Sequence, residues 1–359
     1  MLRGAGVSAA RGKSALALPA SARLSGVSVP RAQIDEIQRS RLLAGAVAVS
    51  EELGYQQATV GRIAERARVS RRTFYQMFAN RDECFVAVLE EVVAVIGEQL
   101  ATAGLERLPW RERVRTGVWT ILEFFDREPA LAGVCVVQAL RAGPSVLARR
   151  EAVLARLAVA VDEGRGEGPR GENLTPLTAE GLVGAAFTIV HSRLSRRERE
   201  ALASLLGELM AMIVLPYLGP AAAKRERART ALTPPAAPPQ AQPDAPRSAR
   251  DPLAGVNLRL THRTARVLEG IAELACRGSD PSNRQVATAA GITDPGQISK
   301  LLRRLERCGL LVNTGAGHAK GEPNAWALTP QGERVAQSIR MHAPVEAPAG
   351  ALAQHHQGA

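Results

Sequence analysis

Between Arg71 and Gln76 the sequence reads RRTFYQ, five polar side chains around a single phenylalanine. Their chemistry suits recognition of a polyanion. An arginine guanidinium pairs with O6 and N7 of guanine, a glutamine amide with N6 and N7 of adenine, and a tyrosine hydroxyl reaches a phosphate oxygen. Arg71 and Tyr75 stand four residues apart and share one side of a helix, while Arg72 and Gln76 share the next. Thr73 can serve with either set. The wider stretch from Thr59 to Phe78 holds five arginines and a single acid, Glu65. Solvated helices usually interleave acids with bases, so this imbalance points to an external anion such as double-stranded DNA.

A second basic group lies far along the chain. In "DPGQISKLLRRLERCG" the residues Gln297, Ser299, Lys300, Arg303 and Arg304 fall on the side opposite Ile298, Leu302 and Leu305. His318 and Lys320 follow in the glycine-rich "GAGHAKGEP". The competing explanation is stronger here, because Arg303, Arg304 and Arg307 beside Glu306 also suit a solvated face or a protein-docking surface.

The elements that must carry these groups are short helices. Thr59 is an N-cap, and Val60, Ile63, Ala64 and Ala67 mark the inner side of the helix after it. Ser70 caps the next helix, with Val69, Phe74 and Phe78 turned inward. Two short helices joined by a tight turn form a helix-turn-helix. Downstream, "LTHRTARVLEGIAELACRG" is amphipathic, "SNRQVATAAGI" starts with a Ser282–Gln285 capping box, and the Gln297 helix begins with Asp294 as N-cap and Pro295 at its first position. "LLVNT" and "NAWAL" read as two strands of a hairpin, and "TPQGERVAQSIR" as a last helix capped by Thr329. Helix, helix, helix, hairpin and helix describe a winged helix.

"GYQQATVGRIAERARVSRRTFYQMFANRDECFVAVLEE" resembles the DNA-binding segment of TetR-family transcriptional regulators over roughly residues 34 to 92. The resemblance implies that Thr59, Tyr75 and Arg81 touch phosphates while Arg71, Arg72 and Gln76 lie near base edges. It departs at Arg68, where the family usually has glycine in the turn. "QISKLLRRLERCGLLVN" and "ALTPQGERV" resemble a MarR-like winged-helix domain over residues 258 to 340. That likeness implies major-groove or phosphate contacts for Gln297, Ser299, Lys300, Arg303 and Arg304, and minor-groove or backbone contacts for His318 and Lys320. Arg31, Arg39 and Arg41 are further candidates, as an arm or first-helix contact.

The expected architecture is mainly α. It comprises a disordered leader (1–32), a helix-turn-helix domain (33–92), a helical domain (93–218), a Pro/Ala-rich linker (219–257), the winged helix with its small β-hairpin (258–340) and a disordered tail (341–359). The TetR likeness implies that the 93–218 domain dimerises and takes a small apolar effector. Ala185, Ala186, Ala201, Leu205, Leu209 and Met212 suit a two-helix face against a twin, with core inside one chain as the alternative. Trp119, Phe124, Phe125, Cys135, Met210 and Met212 read as ordinary core, and His191 as a polar helix-end residue.

Charge follows this layout. Residues 31–85 carry 9 basic and 7 acidic side chains, 86–218 carry 15 and 17, and 258–340 carry 12 and 7. The two expected reading heads are therefore positive and the middle slightly negative. The four cysteines lie far apart without a CxxC pair, which fits a reducing cytoplasm and argues against zinc. No apolar run reaches the length that spans a bilayer.

No GxSxG, HExxH or Walker-type motif is present, and "GRGEGPRG" follows no strand, so neither an enzyme nor a cofactor is expected. The reading is a homodimeric, sequence-specific DNA-binding regulator, a repressor by resemblance. A nonspecific nucleoid-organising protein is the first rival, marked by a steep salt slope without sequence preference. A helical small-molecule-processing enzyme is the second, marked by turnover.

Overall fold

Helix signals and breakers place most of the elements. The computed structural model describes residues 29–229, 251–315 and 324–341, apart from 197, 199, 252 and 279. In chain order the helices are α1 (Arg31–Leu53), α2 (Val60–Arg66), α3 (Arg71–Met77), α4 (Arg81–Thr102), α5 (Trp110–Arg127), the short α6 (Pro129–Ala132), α7 (Pro144–Asp162), the short α8 (Pro169–Glu172), α9 (Pro176–Arg196), α10 (Leu206–Leu218) and α11 (Pro220–Ala228). After residue 250 come α12 (His262–Ala275), α13 (Asn283–Ala290), α14 (Pro295–Arg307), β1 (Leu311–Asn313), β2 (Trp326–Leu328) and α15 (Pro330–Met341). The strands pair antiparallel, Leu311 opposite Leu328 and Asn313 opposite Trp326. Among the described residues no single helix is long and apolar enough to cross a membrane.

Two hydrophobic cores result. The first joins α1–α5 to the bundle formed by α6–α11, with Phe74, Phe85, Trp110, Phe124 and Tyr217 among its buried side chains. Helix α10 runs through it: Leu206, Leu209, Met210, Ile213, Val214 and Tyr217 are all buried. Leu209 is therefore interior to one chain rather than part of a face offered to a twin. Helix α10 starts at Leu206, preceded by a 3-10 turn (Leu202–Leu205). Asp126 at the end of α5 fixes that start, its carboxylate accepting the backbone N–H of Leu202 at 2.7 Å and of Ala203 at 2.9 Å.

The second core belongs to α12–α15 and the hairpin, and it draws in the beginning of α1. Val29, Ile34 and Ile37 pack with Leu258, Val267, Ile271, Leu302, Trp326 and Ile339. Polar contacts follow the same seam. Gln38 Nε2 donates to the Leu260 carbonyl at 2.9 Å, His262 Nε2 meets the Val29 carbonyl at 2.7 Å, and Gln33 donates to the Ile339 carbonyl. Arg41, only 2% exposed, donates to the Leu258 carbonyl at 2.8 Å and pairs with Asp251 at 3.1 Å.

Several expected roles and boundaries change. Arg41 is a buried joint and not a DNA arm, because a guanidinium with a carbonyl and a carboxylate beside it satisfies itself inside the protein. Arg39 is engaged too, pairing with Glu91 at 2.9 Å and lying over the Phe78 ring, whereas Arg31 is exposed. The stretch expected to open the linker contains a helix instead. Pro220 occupies the first turn of α11, where its missing N–H costs nothing, and Ala222, Ala223 and Glu226 are buried. Glu226 meets Arg115 at 2.8 Å and Arg111 and Arg229 at 3.4 Å each. The helical body thus extends to Ala228, and Leu253 and Val256 already belong to the second core. Of the expected leader, Val29 is buried and α1 begins at Arg31; residues 1–28, the linker residues 230–250 and the tail from 342 lie outside the described residues.

Candidate nucleic-acid interface

Caps set the two short helices of the head. Thr59 Oγ1 accepts the Arg62 N–H at 3.4 Å, and its own hydroxyl proton stays available to an outside acceptor. Ser70 Oγ accepts the Thr73 N–H at 2.9 Å and shares a 2.7 Å hydrogen bond with the Thr73 hydroxyl, so Thr73 is half-buried and partly committed. Ile63, Ala64, Ala67, Val69, Phe74 and Phe78 face the core. Phe74 and Phe78 lie 5.5 Å apart and anchor the inner face of α3.

Opposite them, Arg71, Arg72, Tyr75 and Gln76 are exposed, Tyr75 by 58%. Burying Phe74 and Phe78 on a seven-residue helix leaves these four no inward course. Arg71 lies across α2 at Gly61, where an added Cβ would stand 2.7 Å from its guanidinium. Nothing in the sequence marks Gly61 for this role, since the approach depends on how α2 and α3 cross.

Arg81 is engaged within the protein. Its guanidinium lies 4.2 Å from the centre of the Tyr55 ring, donates to the Tyr55 carbonyl at 3.2 Å and pairs with Asp82 at 3.5 Å. Tyr55 is the hub of this cluster: its hydroxyl donates to Asp82 and accepts the Gly143 N–H at 3.3 Å, and its ring meets Phe85 edge-on at 4.8 Å. Burial, then the hydrogen bond to Asp82, raises the Tyr55 pKa, so it remains a neutral donor. The Tyr55 N–H donates to Gln138 at 3.1 Å. A Cβ at Gly143 would come within 1.7 Å of the Asp82 carboxylate, so only glycine allows this approach. These contacts tie the head to the start of α7.

The second group is arranged on α14. Asp294 caps it, accepting the N–H groups of Gly296 at 2.7 Å and Gln297 at 3.3 Å, and these bonds hold its carboxyl below the usual range. Ile298, Leu302 and Leu305 are buried, while Lys300, Arg303 and Arg304 are exposed. Gln297 accepts from Arg263 at 2.9 Å, and Ser299 donates to the Pro295 carbonyl at 2.9 Å and accepts from Asn283 at 3.3 Å. Asn283 also accepts the Trp326 indole N–H at 2.6 Å, binding the strand to α13 and α14. His318 and Lys320 lie outside the described residues. Among the described residues no group of three or more His, Cys, Asp or Glu side chains could hold a metal ion.

Comparison with known proteins places the first head. Residues 42–88 match the family model described as bacterial regulatory proteins, tetR family. The HTH-type transcriptional activator FasR of Mycolicibacterium smegmatis is 32% identical over 110 residues, covering 31% of this chain and 48% of that protein. The uncharacterized HTH-type transcriptional regulator YhgD of Bacillus subtilis is 29% identical over 89 residues, covering 24% of this chain and 47% of that protein. The chain thus spans about half the length of the curated relatives it matches. Among solved structures, the fatty acid degradation regulator FadR from Bacillus halodurans is 20% identical with a TM-score of 0.44, covering 48% of this chain and 96% of that one. The first head is thus the part of the chain that is similar to tetR-family regulatory proteins.

Proposed function

We propose that the chain acts as a two-fold dimer that binds an operator through α3 and changes its grip when a small apolar molecule occupies the bundle. The observation that carries this reading is the outward set Arg71, Arg72, Tyr75 and Gln76, fixed on a helix whose other side is core and balanced by no acid of its own. Arg71, Arg72 and Gln76 take the base edges. Thr59, Tyr75 and Arg81 take phosphates, Arg81 from its seat on Tyr55. The Tyr55–Asp82–Gly143 contacts give the bundle a route to the head, because a shift of α7 must move the start of α4.

The α12–α15 module acts as a winged second reader, with Lys300, Arg303 and Arg304 toward the duplex and His318 and Lys320 on the connection between its strands. Repression follows if the operator overlaps a promoter. FasR is named an activator, so a promoter–reporter assay decides the sign. The reading is tested by selecting duplexes from a random pool with the full chain. Two inverted half-sites are the expected yield; recovery of unrelated sequences with a steep salt slope would favour a nonspecific nucleoid protein instead.

A further inference from the structure

Where the turn between α2 and α3 faces α14 there is a cleft of about 270 Å³, small beside the pockets that hold drug-sized ligands. Arg68 comes to it from the turn, Arg259 from the stretch before α12 and Arg304 from α14, joined by Asn257 and Glu65. Three arginines and one glutamate therefore line one open cleft, and all three arginines are exposed without a side-chain ion pair in the described structure.

Arg68 is the telling member. Its φ of 53° makes it the single non-glycine residue with positive φ among the described residues. That left-handed conformation crowds the Cβ of an L-residue against its own backbone, a strain that glycine would avoid. A guanidinium held there at a cost, beside two more from a separate module, is the pattern of a site that gains its stability from an anion. Val69, the residue before the Ser70 cap of α3, also lines the cleft.

We propose that this cleft seats a backbone phosphate of the same duplex that α3 reads, so that the two modules of one protomer grip one continuous stretch of DNA. The inference rests on the operator-binding reading above. The Arg41–Leu258 and Gln38–Leu260 bonds keep the cleft walls together, which fixes the distance from the major-groove contacts of α3 to this phosphate.

The test uses the full chain and a duplex it selects from a random pool, with each phosphate in turn replaced by an uncharged methylphosphonate. One replacement beside the α3 half-site should weaken the native protein about tenfold and leave Arg259→Ala and Arg304→Ala unaffected, and each variant should lower the salt slope by about one. Arg68→Gly should melt higher than the native chain and yet bind the duplex more weakly, an opposition that a merely structural role cannot give. Cleft variants with native affinity and slope, while Arg71→Ala and Arg72→Ala lose binding, would overturn the inference and leave the reading of α3 standing. Loss of nothing in either set would sink both. Inorganic phosphate raising the melting temperature through Arg304, with no cleft effect on the duplex, would overturn it in favour of a free anion.

Discussion

The Arg41 guanidinium lies 3.1 Å from the Asp251 carboxylate, linking the first helix of the N-terminal head to the first residue described after the segment 230–250. Burial lowers the Arg41 pKa, and Asp251 opposes that effect. Arg41→Ala should cost about 1–3 kcal/mol, because it removes the pair to the part-exposed Asp251 and leaves the Leu258 carbonyl without its donor. Hydrogen exchange should then quicken together at Leu258–Leu260 and across the first turns of α1. Unchanged protection there would show that the apolar contacts of Val29, Ile34 and Ile37 hold the modules without it.

Glu226 makes α11 part of the bundle. A chain ended at Leu218 loses this helix and leaves Arg115 buried without its partner, whereas a chain ended at Arg229 keeps both. Stability of the shorter form should fall by about 3–5 kcal/mol relative to the longer. Equal denaturation midpoints would return α11 to the status of a linker.

Contact between Tyr55 and Gly143 predicts long-range coupling. Gly143→Ala pushes a methyl group into the Asp82 carboxylate and should separate α7 from α4. Operator affinity should drop without a change in sequence preference, because the base-reading side chains are untouched. A relaxed preference with intact affinity would contradict this route.

Asp294 supplies the pH dependence. Its folded pKa lies below the unfolded value, so its contribution is present above about pH 4 and fades as pH falls through the folded value. Asp294→Asn keeps a cap that does not titrate. The stability difference between native and Asn forms should therefore be largest near neutrality and shrink in acid. A difference that grows in acid would show the sign to be wrong.

Much of this molecule could be read from the chain. Thr59, Ser70, Ser282 and Asp294 all cap the helices their positions announced, and Ile63, Phe74, Ile298 and Leu302 turn inward as their spacing required. These are local signals, complete within four residues. What escaped depends on partners far along the chain. Arg41 looks like any basic helix residue until Asp251 and Leu258 arrive, 210 and 217 positions later. Pro220 looked like a breaker because prolines follow it, yet at the first turn of α11 it is compatible with a helix that Glu226 then locks in place. Gly61 and Gly143 matter through clearances that only the crossing of helices creates.

Cysteine chemistry offers an independent check on burial. Cys84 is enclosed, and desolvation pushes its thiol up to about 12, whereas Cys276 is exposed. Alkylation of the native chain at mildly alkaline pH should label Cys276 and spare Cys84, as read by mass spectrometry of peptides. Equal labelling would mean that α4 opens readily.

The outward face of α3 is the heart of the account, and a competition measurement reaches it directly. The native chain and the Arg71→Ala and Arg72→Ala variants are titrated at one salt concentration against the selected duplex and a scrambled copy of it. Each variant should lose about 1–3 kcal/mol of the preference between the two duplexes while retaining most of its affinity for the scrambled one. Preference equal to that of the native chain in both variants would contradict base reading by this helix.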